Sequence, residues 1–374
     1  MPEAEMRVLK FTLLICAVTG CWQPDSWTSL FKHIAYKTYA MFLCSALYIF
    51  SISQFMNIVL YVQTSDEFTD SLYMMLTVFV AGYKQVYMWT DRKNIKVVID
   101  IFNEKPFAAC DAREVMIQEK FERMIQSYTL RYLSLILATI MSIILMSLFT
   151  AFPTRNLTYK TWVPYNYSHP AIYFLTYCHQ LVGMAASGIV NVGCESVICG
   201  LLLHICCQFE ILEYRLTKLQ DNEKILRDCV NHHNRIYKYA YTINHLFVRI
   251  IGLQFAVSMF VLCSNLYRIA MATDIAVFVS LMMYTGAILA QIFIYCWFGN
   301  EVKVKSLQLA SNIFRINWKN LSNSTKKGLL IIMKRATTPI EFSSAHIVTM
   351  NLDSFVSLLK MSYSVFNLLH QTHE

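Results

Sequence analysis

Seven stretches of this chain are apolar over the length a helix needs to cross ~30 Å of hydrocarbon. They fall at about residues 34–62, 69–90, 128–152, 170–200, 246–268, 275–298 and 345–370. The expected fold class is therefore an all-α membrane protein with seven transmembrane helices, built as a single unit over residues 1–374. Composition agrees: 56% of residues are hydrophobic and only 15% charged, where soluble domains carry ~25% charged residues. The second and seventh windows are the least clean, because Lys84 and Lys360 lie inside them. A charge at mid-bilayer costs ~2.5–3.5 kcal/mol on insertion scales, so both are expected to face protein or water.

Basic residues fix the direction of the spans. Arg92, Lys93, Lys96, Lys105, Arg113, Lys120 and Arg123 follow span two, and Arg215, Lys218, Lys224, Arg227, Arg235 and Lys238 lie between spans four and five. A third group, from Lys303 to Arg335, follows span six, whereas the alternate connections hold only Arg155, Lys160 and Arg268. Because cytoplasmic loops are the basic ones, the N-terminus is placed inside and the C-terminus outside. The sequons at Asn156 and Asn166 then fall outside and are glycosylation candidates, while those at Asn320 and Asn323 fall inside and should stay bare. A net charge of +8 could suggest nucleic acid, but no Lys/Arg run or aromatic-basic interleave supports it.

Chemistry-bearing motifs are absent. The twelve cysteines are scattered through apolar stretches without a C-x-x-C pair or zinc spacing; Cys178 and Cys263, both near the outer face, leave pairing open. His232 and His233 are adjacent, and neighbours on a helix point ~100° apart, a poor metal pair. No G-x-S-x-G, Walker loop or G-x-G-x-x-G occurs, so neither an enzyme nor a cofactor is expected. Asp91-Arg92-Lys93 is superficially like the motif of G-protein-coupled receptors, but it follows span two and the charge bias is inverted. The segment Val8 to Gly20 has a short apolar core after Arg7 and Lys10 and is expected to lie half-inserted or interfacial rather than be cleaved.

Two further patterns bear on architecture. After span four, Phe209, Leu212, Leu216 and Leu219, then Ile225, Cys229, Ile236 and Tyr239, keep helical spacing beyond the membrane, with a turn at Gln220, Asp221 and Asn222. A similar extension follows span six, with a segment ending at Pro339, and is expected to meet a short helix that precedes span seven. In the last window Asp353, Ser357, Lys360, Ser364 and Asn367 are spaced 4, 3, 4 and 3 apart and form one polar stripe. Phe355, Leu358, Leu359, Ser362, Phe366 and Leu369 form the opposite, largely apolar face.

The run "YCWFGNEVKVKSLQLASNIFRINW" (Tyr295 to Trp318), then "LLIIMKRATTPIEF" and "FVSLLKMSYSVFNLL", resembles in order and spacing the C-terminal third of insect odorant receptors. "GCWQP" (Gly20 to Pro24) is similar to that family's Gly-x-Trp-Pro opening with one residue inserted. Gustatory relatives end span seven with Thr-Tyr…Gln-Phe; here Ser362-Tyr363 has no Gln-Phe after it. The odorant co-receptor is typically longer between spans four and five, so the resemblance is to a ligand-tuning subunit.

The resemblance implies a non-selective cation channel gated by small volatile hydrophobic odorants in the plasma membrane of olfactory sensory dendrites. Tuning subunits and co-receptor would form a heterotetramer in membrane lipid, anchored through about 204–245 and 299–340, with the last helix lining the pore. The family's outer pocket, among spans two, three, four and six, maps onto Leu72, Tyr73, Leu76, Phe79, Met141, Leu145, Phe149, Tyr173, Tyr177, Gln180, Met184, Phe278, Met282 and Met283. Tyr73, Tyr177 and Gln180 are the expected polar handles among aromatic and methionine walls. The family's gate, carried over by spacing from Tyr363, selects Phe366 with Ser362 and Leu369 on its face, an apolar ring able to close a pore by excluding water. The apolar face is preferred as gate and the polar stripe as a helix–helix or side-conduit surface. A gustatory-type homomeric channel is the alternative, and a seven-span transporter a more distant one.

Overall fold

The computed structural model describes residues 9–24, 26–219, 222–344 and 348–371. Among them are ten α-helices: α1 (Lys10–Val18), α2 (Leu30–Tyr61), α3 (Ser65–Thr90), α4 (Arg92–Asp100), α5 (Ala112–Thr150), α6 (Pro170–Thr217), α7 (Glu223–Met271), α8 (Ile275–Phe314), α9 (Asn323–Ala336) and α10 (Leu352–Gln371). The seven expected spans correspond to α2, α3, α5, α6, α7, α8 and α10. Five of these, α2 and α5 to α8, are long and apolar enough to cross a membrane by composition. Local chemistry sets the helix starts: Thr64, Asp111, Asn222 and Asp274 each accept first-turn N–H groups with their side chains. Span seven begins later than expected. Residues 345–347 lie outside those described, and Val348–Thr349 pair antiparallel with Ser343–Ser344 instead. Asn351 Oδ1 then accepts from Ser354 N at 2.7 Å and starts α10.

Helix α6 is the hub of the bundle: 94% of its most apolar window is buried, against 33% for α2 and 28% for α5. The outer helices turn large apolar side chains outward, among them Phe31 and Phe42 of α2, Phe149 of α5 and Ile275 of α8. In water such a surface would aggregate; in a bilayer it is the lipid-facing belt. The N-terminal segment is more deeply engaged than its sequence suggests. Helix α1 lies on α6, with Cys16 sealed, and Lys10, Leu14 and Val18 turn outward. Gly20, at φ +74°, turns the chain back so that Cys21 and Trp22 N–H groups both donate to Cys16 O. Trp22 is then clamped beneath the Arg92 guanidinium, 5.2 Å from its ring centre.

At the end that carries the basic residues, α6, α7 and α8 run on past the spans, and α9 packs against α7 and α8. The turn expected at Gln220, Asp221 and Asn222 falls between α6 and α7; its first two residues lie outside the described ones. The interior of this bundle is polar but ordered. Arg215 Nη1 lies 3.2 Å from His232 Nδ1, and His232 Nε2 lies 2.8 Å from Gln208 Oε1. Gln208 Nε2 in turn meets His204 Nε2 at 3.1 Å. Arginine has only donors, so His232 must accept at Nδ1 and donate at Nε2, and both histidines are held neutral. Burial lowers the pKa of His204 to about 3 and of His233 to about 4, and puts His232 well below the usual range. The guanidiniums of Arg215 and Arg335 lower His232 and His233 further.

The spanning part is held by a buried ion pair. Lys84 Nζ of α3 donates to Glu195 Oε1 at 2.7 Å and to Asn191 Oδ1 at 2.8 Å, both on α6. It also donates to Gln254 Oε1 of α7 at 2.5 Å. Glu195 further accepts from Tyr132 of α5 and Gln291 of α8. Five helices thus meet at one ammonium and one carboxylate, with Lys84 fully buried. The charge inside span two therefore faces protein.

Breaking one half of such a pair strands the other charge. We expect Lys84→Met to destabilise by about 3–5 kcal/mol and to abolish surface expression. Lys84→Met combined with Glu195→Gln should recover most of the thermal stability in detergent; an equally unstable double variant would contradict the account. The histidines give a second test. Their folded pKa values are depressed, so their stability contribution is complete above about pH 6.5 and is lost as pH falls towards about 4. Melting temperature should drop over that window, and His233→Gln should flatten the slope; identical slopes would refute it.

Candidate ligand-binding site among four helices

Just above the ion pair, a cavity of about 60 Å³ opens between α3, α5, α6 and α8. Met74 and Thr77, Ile136, Thr139 and Ile143, Met184 and Ser187, and Tyr284 and Ile288 form its walls. Tyr132, Asn191 and Gln291, all tied to the ion pair, form its floor. Towards the outer end a larger cavity of about 240 Å³ shares Ile143 and Tyr284 with it and adds Tyr73, Tyr159, Arg268 and Ser280. The Tyr73 and Tyr284 rings meet edge to face at 5.4 Å, and Arg268 lies 4.4 Å over Tyr73. The two cavities together form an aromatic-walled path leading inward from the outer connections.

The walls offer few free polar hydrogens, because their hydroxyls are already engaged. Thr77 Oγ1 donates to Tyr73 O at 2.8 Å, Thr139 to Leu135 O at 2.9 Å and Ser187 to Met184 O at 2.7 Å. With its own proton spent, Thr77 Oγ1 accepts from the Tyr284 hydroxyl at 2.5 Å. Concave, mainly apolar walls with a few fixed polar groups suit a small organic molecule.

The residues expected from the sequence divide into four groups. Tyr73 and Met184 line the cavities. Tyr173 and Tyr177 pack with Phe152 under the outer connection, and Tyr177 shares a hydrogen bond with Ser147. Gln180 is spent on that same connection, accepting from Tyr159 N and donating to Tyr159 O and Thr161 Oγ1, so its amide is a clamp for the loop. Leu72, Leu76 and Met283 are partly buried between helices. Phe79, Met141, Leu145, Phe149, Phe278 and Met282 turn to the outside of the bundle.

Thr77, Thr139, Ser187, Asn191, Tyr284 and Gln291 were not expected. The reason is physical: in lipid the largest apolar side chains have no cause to turn inward, and small or polar ones gather between helices. A search for polar residues on one face of each apolar window would have found them.

Helix α10 packs on α7 and α8 through its apolar face. The Phe355 ring meets Phe293 at 5.5 Å, Leu358 is buried, and Ser362 is sealed where Cys263 donates to its carbonyl at 3.7 Å. Phe366 is half-buried beside Tyr363, and the side chain of Leu369 lies outside the described ones. Ser357, Lys360 and Ser364 of the polar stripe are exposed. All twelve thiols are free, Cys178 and Cys263 included. Asn156 and Asn166 are exposed on the connection between α5 and α6.

Comparison with known proteins agrees with this architecture. Residues 64–363 match the family profile described as 7tm Odorant receptor. Odorant receptor 46a isoform B of Drosophila melanogaster is 26% identical over 97% of this chain and 98% of its own length. Isoform A is 29% identical over 58% of this chain and 60% of that relative. The insect olfactory receptor OR5 of Machilis hrabei, solved in complex with eugenol, superposes with a TM-score of 0.86 over 97% of each chain at 16% identity. On this footing, with seven helices arranged N-terminus inside and C-terminus outside, the chain belongs to the insect odorant receptor family.

Proposed function

We propose that this chain is the ligand-tuning subunit of an odorant-gated, non-selective cation channel in the plasma membrane, working with an odorant co-receptor. The observation that carries the reading is the pair of cavities between the outer halves of the helices, walled by Tyr73, Tyr132, Tyr159 and Tyr284 and leading in from the outer connection. A solved relative of the same fold holds eugenol, a small volatile aromatic molecule.

Coupling to a pore has a physical route. Gln254 ties α7 to the ion pair beneath the cavity, and α7 is also the helix against which α10 packs. A ligand that prefers one arrangement of these helices shifts the equilibrium by its differential affinity, typically ~1–3 kcal/mol.

An apolar groove of about 850 Å³ between α7 and α10, lined by Leu253, Ala256, Met259, Leu358 and Met361, supports assembly with neighbouring subunits beside the pore helix. The uncovered stripe of Ser357, Lys360 and Ser364 supports a wetted path along α10, with Phe366 as the constriction beside it.

Whole-cell recording during a panel of volatile odorants, with and without co-receptor and with G-protein signalling blocked, tests the reading. Fast cation current only in co-expressing cells is the expected result. Current from this chain alone would transfer the assignment to a homomeric, gustatory-type channel. Filling the cavity with Ile143→Trp should raise the half-maximal concentration at least about tenfold, since overpacking costs ~1–3 kcal/mol, while Leu148→Ala on the outer surface should not. Lys360→Gln should raise single-channel cation conductance by removing a like charge from the path; unchanged conductance would take α10's stripe off it.

A further inference from the structure

The floor of the inner cavity is oriented by the ion pair beneath it, and this leaves a specific pattern for a ligand. Lys84 is an ammonium and can only donate, so the Asn191 atom at 2.8 Å from it is fixed as the carbonyl oxygen. The Asn191 amide nitrogen is therefore turned away from Lys84 and has no hydrogen-bond partner among the described residues; Asn191 lines this cavity and a smaller one of about 20 Å³ beside it. Glu195 carries the opposite constraint. A carboxylate paired with an ammonium only accepts, so Gln291 offers it the amide nitrogen. Its carbonyl oxygen is left without a partner among the described residues, and Gln291 lines the same two cavities. The hydroxyl protons of the lining, on Thr77, Thr139, Ser187, Tyr284 and Tyr132, are all spent elsewhere.

We infer that Asn191 and Gln291 are the specificity-determining residues of the ligand cavity and that they select molecules bearing a hydroxyl group, alcohols or phenols. A hydroxyl is the smallest group that can both accept from an amide N–H and donate to an amide C=O. A hydrocarbon of the same shape leaves both amides unpaired or holding a water, and burying polar groups without partners is unfavourable. Selection of this kind comes from the site's own polar groups more than from apolar contact, where one added or missing methylene discriminates weakly. The ion pair is then a positioning device: it chooses which atom of each amide the ligand meets. This inference rests on the cavity being the odorant site.

The test compares 4-methylphenol with 1,4-xylene, which share a skeleton and differ by hydroxyl against methyl, on cells expressing this chain with a co-receptor. Wild-type channels should open at a concentration of the phenol about tenfold or more below that of the xylene. The ratio should collapse towards one in Asn191→Val and, independently, in Gln291→Met; comparing ratios removes differences in partition and expression. Leu148→Ala on the outer surface should keep the wild-type ratio. Equal sensitivity in wild type, or a ratio that survives in either variant at the cell surface, overturns the inference and leaves the channel reading intact. Failure of both probes while another odorant opens the channel does the same. No current to any odorant from protein confirmed at the surface would overturn both.

Discussion

One ammonium facing one carboxylate inside an apolar bundle is the constraint around which the spanning region is arranged. Lys84 and Glu195 come from helices far apart in sequence, and neither can be left alone in lipid. All three protons of the ammonium are used and the carboxylate accepts three bonds: Asn191, Gln254, Tyr132 and Gln291 complete the pair from four helices. Hydrophobic burial cannot choose among helix rotations when the solvent is itself hydrocarbon, because an apolar side chain is as well placed facing lipid as facing protein. Polar groups can, since each has few acceptable positions. The ion pair therefore sets the rotation of α3, α5, α6, α7 and α8, and with it which side chains line the cavity above.

The same arrangement divides the molecule into an outer level, the ion pair itself and an inner level. Above the pair lie the aromatic cavity and its outer connection, held down by Gln180 and the Tyr173–Tyr177–Phe152 cluster. Below it, α6 to α8 continue into a bundle where Arg215, His232, Gln208 and His204 form an ordered chain of hydrogen bonds. Helix α7 passes through all three levels and also supports α10. A change in the cavity that displaces Asn191 or Gln291 acts on Lys84 or Glu195 directly, and Gln254 carries the displacement into α7. Small residues permit the close approaches this needs: a side chain at Gly299 would collide with the Met350 carbonyl at 2.3 Å, so glycine there lets the segment before α10 sit against α8.

Much of this was legible in the sequence. The apolar windows established the number of long helices, and the alternation of basic connections gave their direction, because the cost of hydrocarbon contact and of moving charge across it acts locally on each segment. The amphipathic runs after spans four and six forecast the inner extensions, and the terminal motifs identified the family. Lys84 marked itself as an interior residue by being charged where lipid forbids charge. The polar stripe of α10 was also visible as a period.

Tertiary structure alone decided which faces meet. Phe149 and Met141, strong candidates by size, face outward, whereas Thr139 and Ile143 on the same helix face the cavity. Gln180 was expected as a polar handle of the pocket, yet the packed loop shows that Tyr159 and Thr161 consume its amide. The partner of Lys84 could not be read from the chain, because 111 residues separate it from Glu195 and the meeting depends on five helices docking together. Segment length and charge are properties of a residue and its neighbours. Helix rotation and the fate of each hydrogen bond are properties of the assembled bundle.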